Sequence, residues 1–439
     1  MIDRTVFENK KVAFFTLGCK LNFSETSGIA RTMLEAGFQR VNFNEKADVY
    51  VINTCTVTEI ADKKCKQAIK RAVKKNPDAF VIVAGCFAQL KPGDISKIEG
   101  VDLILGSNEK MDVLEHLDGL SKKQKPEVSV GDILKTKEFK PTYSSGDRTR
   151  CFLKIQDGCD YFCSYCTIPF ARGLSRSGTI AETVEQAKKA IKTGAKEIIL
   201  TGVNIGDFGR MNGESFLGLI KELDKLEGVE RYRISSIEPN LLTNEIIDFV
   251  AQSEKFMPHF HIPLQSGSDK ILKLMKRKYD TALFASRIEH IRKMIPHAFI
   301  GVDVITGVRG ETWELYRETV EFIQKIDYSQ LHVFTYSERP DTQALKIQEV
   351  VPVEERKQRS RELHEISEKK TIEFYKKFLS TEAKVLFEKT EQDGEMFGFT
   401  ENYIRVAVPY NAGLVNQIKN VRLQFLSFDG ESVVGKLIS

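Results

Sequence analysis

Cys159, Cys163 and Cys166 stand in Gly158-Cys-Asp-Tyr-Phe-Cys-Ser-Tyr-Cys166, a Cys-x3-Cys-x2-Cys loop. Three thiolates on one short loop can ligate three irons of a [4Fe–4S] cluster, which ordinarily takes four cysteines. The remaining iron is then open to a chelating molecule. A zinc knuckle is the competing reading, but structural zinc closes a four-ligand shell and this loop lacks the fourth ligand. Cys19, Cys55 and Cys86 are far apart in sequence yet share a station. Each follows an apolar run: Phe14-Phe-Thr-Leu-Gly-Cys19, Val51-Ile-Asn-Thr-Cys55 and Val81-Ile-Val-Ala-Gly-Cys86. If these runs are parallel strands, the three thiols meet at the carboxyl edge of one sheet, where open α/β sheets bind ligands. A second cluster with an open iron is the expectation. Cys65, in mid-helix, and Cys151, at a strand start, read as non-ligands.

The elements that must carry these trios follow from periodicity. Strands are expected at Val12–Leu17, Val49–Asn53, Phe80–Ala84 and Leu103–Leu105, separated by amphipathic stretches at Ser24–Ala36, Asp62–Lys75 and Lys110–Leu117. Continuous apolar strands with intervening helices imply an open parallel sheet covered on both faces. Residues 121–147 are rich in Lys, Glu, Pro, Ser and Gly and read as a linker with room for one strand. Strand–helix alternation then resumes at Cys151–Ile155, Glu197–Val203, Tyr232–Ser236, His259–Leu264, Phe299–Ile305 and Leu331–Thr335. Six βα units in this length fit a partial (β/α)6 barrel, with the cysteine loop on its C-terminal face. Glu354–Phe378 reads as one long charged helix with Leu363, Ile366, Ile372, Phe374 and Phe378 apolar. Period-two runs at Ala383–Glu388, Met396–Thr400, Ile404–Pro409, Val421–Phe428 and Val433–Ile438 suggest a small β-barrel. The expected class is α/β, divided into 1–120, a linker 121–147, a barrel with its helix 148–378, and a β domain 379–439.

Composition sets limits on the function. The 439 residues are 41% hydrophobic and 29% charged, a globular balance. No run approaches the ~20 apolar residues of a membrane helix, and Met1-Ile2-Asp3-Arg4 opens without an apolar leader. A cytoplasmic protein is expected. Eight cysteines are few for a disulfide scaffold of this length. Net charge is +4 on 65 basic and 61 acidic residues, too balanced to announce nucleic acid by itself.

The two trios, the domain order and several segments resemble the radical S-adenosylmethionine (SAM) methylthiotransferase family over nearly the whole chain. The segments are Thr16-Leu-Gly-Cys-Lys-Leu-Asn22, Asn53-Thr-Cys-Thr-Val57, Gly85-Cys86, Lys154-Ile-Gln-Asp-Gly-Cys159, Ile168-Pro-Phe-Ala-Arg-Gly173, Gln265-Ser-Gly-Ser-Asp269 and Tyr336-Ser-Glu-Arg-Pro340. Gly18-Cys-Lys-Leu-Asn-Phe-Ser-Glu-Thr26 and Pro169-Phe-Ala-Arg-Gly-Leu-Ser-Arg-Ser177 look most like the branch that places a methylthio group on C2 of N6-threonylcarbamoyladenosine at tRNA position 37. The isopentenyladenosine and ribosomal-protein aspartate branches are similar alternatives. Two departures stand out. Gly307-Val-Arg-Gly-Glu311 replaces the usual Gly-Phe-Pro-Gly-Glu, and Asp341 stands where Gly commonly follows Arg-Pro.

The resemblance implies two [4Fe–4S] clusters and SAM as both methyl donor and radical source, suited to an unactivated C–H that acid–base chemistry cannot readily replace. Cys159, Cys163 and Cys166 would bind the SAM cluster, and Cys19, Cys55 and Cys86 the auxiliary one. SAM contacts are expected from Tyr165, Thr201, Gly202, Val203, Ser235, Ser236, Glu238, Gln265, Ile305 and Gly307. Asn22, Arg172 and Arg176 would meet substrate. Tyr403, Arg405 and Arg422 would form a local RNA surface on a TRAM-like β domain that has only six basic residues against eight acidic. The basic run from Lys63 to Lys75 reads as a solvated face or a tRNA-steering surface. His261 reads as a satisfied barrel histidine. Expected partners are tRNA, a flavodoxin or ferredoxin reductant and an unidentified sulfur donor. A cobalamin-dependent methylase would want Asp-x-His-x-x-Gly in the first domain, and none is present. An iron–sulfur RNA-binding scaffold is the non-enzymatic alternative.

Overall fold

The computed structural model describes residues 7–117, 119–146 and 149–438. The Met1–Arg4 start and the junction at Asp147 and Arg148 lie outside the described residues. Six parallel strands form the first sheet: β1 (Lys11–Thr16), β2 (Gln39–Val41), β3 (Val49–Thr54), β4 (Phe80–Gly85), β5 (Leu103–Leu105) and β6 (Glu127–Ser129), in the order β2-β1-β3-β4-β5-β6. β3 and β4 are buried along their whole length, as strands covered on both faces must be. α1 (Lys20–Glu35) packs Ile29 and Met33 on one face, and α2 (Glu59–Lys75) packs Cys65, Ala68, Ile69 and Ala72 on the other. The Thr58 hydroxyl accepts from the Ala61 amide to start α2, with acids in the first turn and lysines in the last, which suits the helix dipole.

The stretch expected as a linker is not free chain. Glu127–Ser129 is the parallel edge strand β6 of the first sheet, and Thr142–Tyr143 is β7, antiparallel to the first barrel strand. Two strands form where one was expected. Both are short edge strands, and the polar composition that hid them is what keeps an open edge from pairing elsewhere.

The barrel strands are β8 (Cys151–Lys154), β11 (Glu197–Thr201), β12 (Arg231–Ile234), β13 (His259–Gln265), β14 (Phe299–Thr306) and β15 (Gln330–Thr335); a short antiparallel pair, β9 (Gln156–Asp157) and β10 (Arg176–Ser177), brackets the cysteine loop. β7-β8-β11-β12 and β13-β14-β15 form two sheets, joined by single bridges at Tyr232–Phe256 and Ser236–His261. Cys151, Leu153, Ile198, Leu200, Ile300, Val302 and Val304 face the outer helices. The alternate residues Phe152, Lys154, His261, Asp303 and His332 therefore face the lumen. The long helix Val353–Lys376 buries Leu363 and Phe374, but its Ile366 and Ile372, and Phe378 just beyond it, are half-buried while Arg356 and Arg359 are buried. Arg359 donates to the Glu311 carbonyl (2.7 Å) and carboxylate (2.8 Å) and lies over Trp313, so its charge is matched inside the fold.

The last strands, β16 (Glu382–Gln392), β17 (Glu395–Thr400), β18 (Arg405–Pro409), β19 (Ile418–Leu426) and β20 (Val433–Leu437), close a barrel in the order β16-β17-β18-β20-β19. Arg231 and Arg233 of β12 cross to it, donating to the carbonyls of Lys384, Phe399, Thr400 and Glu401. Among the described residues no helix is long and apolar enough to cross a membrane.

Candidate functional site

β1, β3 and β4 are neighbours running in one direction, so the residues just past them converge. Cys19 precedes the first residue of α1, Cys55 follows β3 directly, and Cys86 opens the short helix α3 (Cys86–Leu90) directly after β4. Two glycines make the approach possible. Gly18 has φ +107°, and a Cβ there would lie 2.9 Å from the Cys55 Cβ. Gly85 has φ +98°, and its Cβ would lie 2.9 Å from the Thr54 carbonyl. Only glycine satisfies both the backbone angle and the space. Burial, with the neighbouring Cys86 and Cys19 acting in the same direction, pushes the Cys55 thiol up to about 11. Cys65 is buried in α2 and its thiol donates to the Cys55 carbonyl at 3.3 Å, so it braces the Cys55 turn.

The second trio lies past β9. The Tyr161 amide points at Cys159 Sγ (3.5 Å), the Ile168 amide at Cys166 Sγ (3.4 Å) and Arg277 Nη1 at Cys163 Sγ (3.2 Å). Donors aimed at thiolate sulfurs are the surroundings an iron–sulfur cluster uses to set its potential. Burial raises all three thiols, Cys166 to about 12, with Arg277 opposing the rise at Cys163. Metal-free, they hold their protons at neutral pH, and metal must displace them. Among the described residues no three His, Cys, Asp or Glu groups converge on a single ion.

Arg277 was not legible in the sequence. Lys276-Arg-Lys278 reads as a solvated charge run, yet Arg277 turns inward and also donates to the Tyr165 hydroxyl (3.4 Å) and to Glu238. Tyr165 and Ile305 pack together with Val308 and Met275 in one apolar cluster beside the loop. Gln265 holds φ +67° at a bulge of β13, and its Oε1 is buried with no protein partner. A non-glycine residue so held is a strained feature of the kind found at ligand sites. Thr201 is buried, and after Gly202 the Val203 and Asn204 amides donate to the Gln156 side chain, which fixes that turn. Ser235 is buried at the end of β12 and Ser236 forms the bridge to His261. The Gly307 amide donates to Glu311 (2.6 Å), while Arg309 pairs with Glu338 and donates to the Leu345 and Ile347 carbonyls. The Arg that replaces the family's Pro thus ties this turn from outside. Asp341, where Gly is usual, has φ +63°, a conformation Asp tolerates better than most.

The substrate expectations need correction. Arg172 is fully buried and bonds Glu25, Asp157 and Asn22; Arg176 is buried and bonds Asp157 and the carbonyls of Glu138, Arg172 and Leu174. Asn22 is buried too, its amide donating to the Leu17 and Thr54 carbonyls. All three are committed inside the protein, and Arg172 with Asn22 clamps the Cys19 and Cys55 turns to the barrel. Tyr403 faces inward as well. Its ring lies 4.3 Å from His259 and 4.7 Å from Phe399, and its hydroxyl accepts from Arg150. Arg405, over Phe397, and Arg422 are partly or fully exposed but paired with Glu431 and Glu382. The small barrel instead exposes Phe425 and Phe428, aromatics of the kind on which bases stack. Their sequence signal was an alternating strand, which does not distinguish a core face from a bare one. Lys66, Lys70 and Lys74 of the basic run border a groove with Lys97, Lys122 and Lys123. It includes Pro77, Gly100 and Val101, which precede β4 and β5, so it opens at the sheet edge opposite the cysteines. His261 Nε2 pairs with Asp303 at 2.6 Å, the satisfied histidine expected.

The sequence matches the family described as uncharacterized protein family UPF0004 over residues 11–106 and the radical SAM superfamily over residues 153–323. It is 40% identical, over 94% of this chain and 93% of the relative, to the threonylcarbamoyladenosine tRNA methylthiotransferase MtaB of Bacillus subtilis. The chain belongs to the radical SAM methylthiotransferase family. Another family relative, the tRNA-2-methylthio-N(6)-dimethylallyladenosine synthase of Clostridium tetani, is 31% identical over 97% of this chain and 97% of its own. Among solved structures, the radical SAM methyltransferase TsrM of Kitasatospora setae, with cobalamin and a [4Fe–4S] cluster bound, matches with TM-score 0.54 and 14% identity over 74% of this chain and 75% of that one. That likeness concerns the fold. For this methylthiotransferase, family membership implies an enzyme that uses SAM and a [4Fe–4S] cluster.

Proposed function

We propose that this methylthiotransferase acts on tRNA and places a methylthio group on C2 of N6-threonylcarbamoyladenosine at position 37. The higher identity to the relative named for that nucleoside, over nearly the full length of both chains, carries the substrate choice. SAM bound at an open iron supplies, on reduction, a carbon radical able to take hydrogen from an unactivated carbon. Cys159, Cys163 and Cys166 hold that iron–sulfur cluster, and Arg277 directs a positive charge at the Cys163 sulfur. Glu238, held by Arg277, would meet the ribose hydroxyls, Tyr165, Ile305 and the Gly307 turn would meet the adenine ring, and Gln265 offers an unpaired oxygen. Thr201, Gly202, Val203, Ser235 and Ser236 border the same end of the barrel. Cys19, Cys55 and Cys86 hold a second cluster, which presents sulfur. Their placement at the carboxyl edge of the first sheet, clamped to the barrel through Arg172, supports this reading.

The assignment extends to 1–120 as the auxiliary-cluster domain, 148–378 as the radical domain and 379–439 as the RNA-binding domain, in a cytoplasmic enzyme served by a flavodoxin or ferredoxin. Digesting tRNA from a deletion strain and quantifying nucleosides by tandem mass spectrometry is the direct test. 2-Methylthio-N6-threonylcarbamoyladenosine is expected to vanish while its unthiolated precursor accumulates; unchanged levels would refute the substrate. Arg277→Met is expected to retain the iron at its loop yet weaken SAM binding about 10- to 100-fold, the scale of lost outer-sphere partners. An EPR-monitored titration should also find the cluster harder to reduce, because a cationic donor to sulfur is gone. An unchanged midpoint would leave Arg277 only a packing role.

A further inference from the structure

The inward faces of β13, β14 and β15 form three rows. At the floor, Phe299 lies 5.7 Å from the His259 ring and 5.6 Å from Tyr403, which reaches in from the small barrel. In the middle, His261 Nε2 bonds Asp303 at 2.6 Å, and its ring lies 4.7 Å from His332. His332 leans across β14, where a Cβ at Gly301 would lie 3.1 Å from its Nε2. The top row holds Ile305 and Phe334, which pair in the register of β14 and β15. Leu331 and Val333 of β15 pack into the outer core, so strand alternation turns His332 and Phe334 inward. Exposure rises from floor to mouth: Phe299 is 2% exposed and Phe334 52%. The lumen is thus closed below and open above, and its rim carries a bare aromatic ring. A large apolar ring in a concave mouth is surface for a ligand to cover.

Phe334 also stands between the two cysteine trios. Its register partner Ile305 packs in one cluster with Tyr165, which lies between Cys163 and Cys166. On the other side, the chain leaving β15 runs straight to the Cys55 turn. Ser337 Oγ accepts from the Glu59 amide at 3.3 Å, and Arg339 donates to Thr56 Oγ1 (2.7 Å) and Asp62 (2.8 Å). We propose that Phe334 is the stacking face for the target adenine, which enters the mouth of the lumen and lies against this ring. The inference rests on the substrate reading above. Radical and sulfur must both reach C2, so the base has to lie within reach of both trios. The residues expected at the adenine of SAM, Ile305 and the Gly307 turn, are on β14; Phe334 is one strand over, toward the Cys55 turn. Stacking uses the π-face that every base has, so it leaves the C2 edge and the N6 substituent free.

The test uses the reconstituted full chain and anticodon stem-loop RNAs carrying N6-threonylcarbamoyladenosine, N6-dimethylallyladenosine or an abasic site at position 37. Binding is read by fluorescence anisotropy. Phe334→Leu keeps an apolar side chain of similar size but removes the π-face. It is expected to weaken the threonylcarbamoyladenosine RNA about 5- to 150-fold, the span of stacking one base, and to leave the abasic RNA unchanged. Phe334→Tyr should bind both as the wild type does, and iron content and SAM affinity should be unchanged in both variants. No loss in Phe334→Leu, or an equal loss for the abasic RNA, overturns the proposal. So does a loss of SAM affinity, which would assign Phe334 to the adenine of SAM. If the wild type prefers the dimethylallyladenosine RNA and Phe334→Leu weakens that RNA instead, the substrate reading falls and the stacking stands. If the wild type binds none of these RNAs, both fall.

Discussion

Cys163→Ala is expected to abolish formation of 5′-deoxyadenosine from SAM, whereas Cys55→Ala keeps that cleavage and loses the methylthio product. Losing only an outer partner of a metal site costs about 10- to 100-fold, so losing one of three thiolates should cost more than about 100-fold. The asymmetry follows from how each trio is built. Cys159, Cys163 and Cys166 share one loop past β9, held by its own amides and Arg277. Cys19, Cys55 and Cys86 hang from three strands of another sheet. Neither set depends on the other for its ligands. After anaerobic reconstitution each variant should fall from about eight irons per chain to about four, the content of one cluster. Deoxyadenosine is read by liquid chromatography and mass spectrometry, iron and sulfide by colorimetry. Deoxyadenosine from Cys163→Ala would sink the assignment of the radical site. An iron count in Cys55→Ala equal to that of the wild type would sink the second cluster.

Both trios were visible in the residues alone because each rests on a strong local rule. The loop trio is a spacing; the dispersed trio is a repeated position, the end of a continuous apolar strand. The same rules could not reach Arg277, Arg172 or Arg359. Each is a charged residue in a polar stretch, and periodicity assigns such residues to solvent. They are buried because a partner distant in sequence neutralises them: Glu238 for Arg277, Glu25 and Asp157 for Arg172, Glu311 for Arg359. Pairings over such separations leave no periodic trace. Tyr403 shows the converse. The expected local RNA surface would have it exposed, but the positive φ of +63° belongs to a turn that leaves its ring stacked on Phe399 and tilted against His259. The polar linker hid two edge strands for a related reason, since an edge needs few apolar residues.

The second large effect concerns what holds the two trios at a fixed separation. Glu25 of α1 is fully buried and accepts from Lys110 (2.6 Å), from Lys154 of β8 (2.9 Å) and from Arg172 (3.0 Å to each oxygen). Asp157 takes Lys154, Arg172 and Arg176. Two carboxylates thus serve four buried cations across the junction of sheet and barrel. Glu25→Gln keeps the shape but removes one of the two negative charges. It is expected to cost about 3–5 kcal/mol, the usual result of orphaning buried charge. The double variant Glu25→Gln/Lys110→Met should recover part of that loss, since it removes a cation as well. Acid should act in the same direction. The cations hold Glu25 and Asp157 well below the ordinary carboxylate range. Their contribution is fully present above the unfolded values of about 4 and is lost as pH falls from there through the folded ones. Urea unfolding at a series of pH values checks both points: wild-type stability should decline below about pH 4.5, and Glu25→Gln should decline less steeply. Equal acid slopes in the two proteins would mean that Glu25 does not carry the junction, and that the trios are held in register by packing alone.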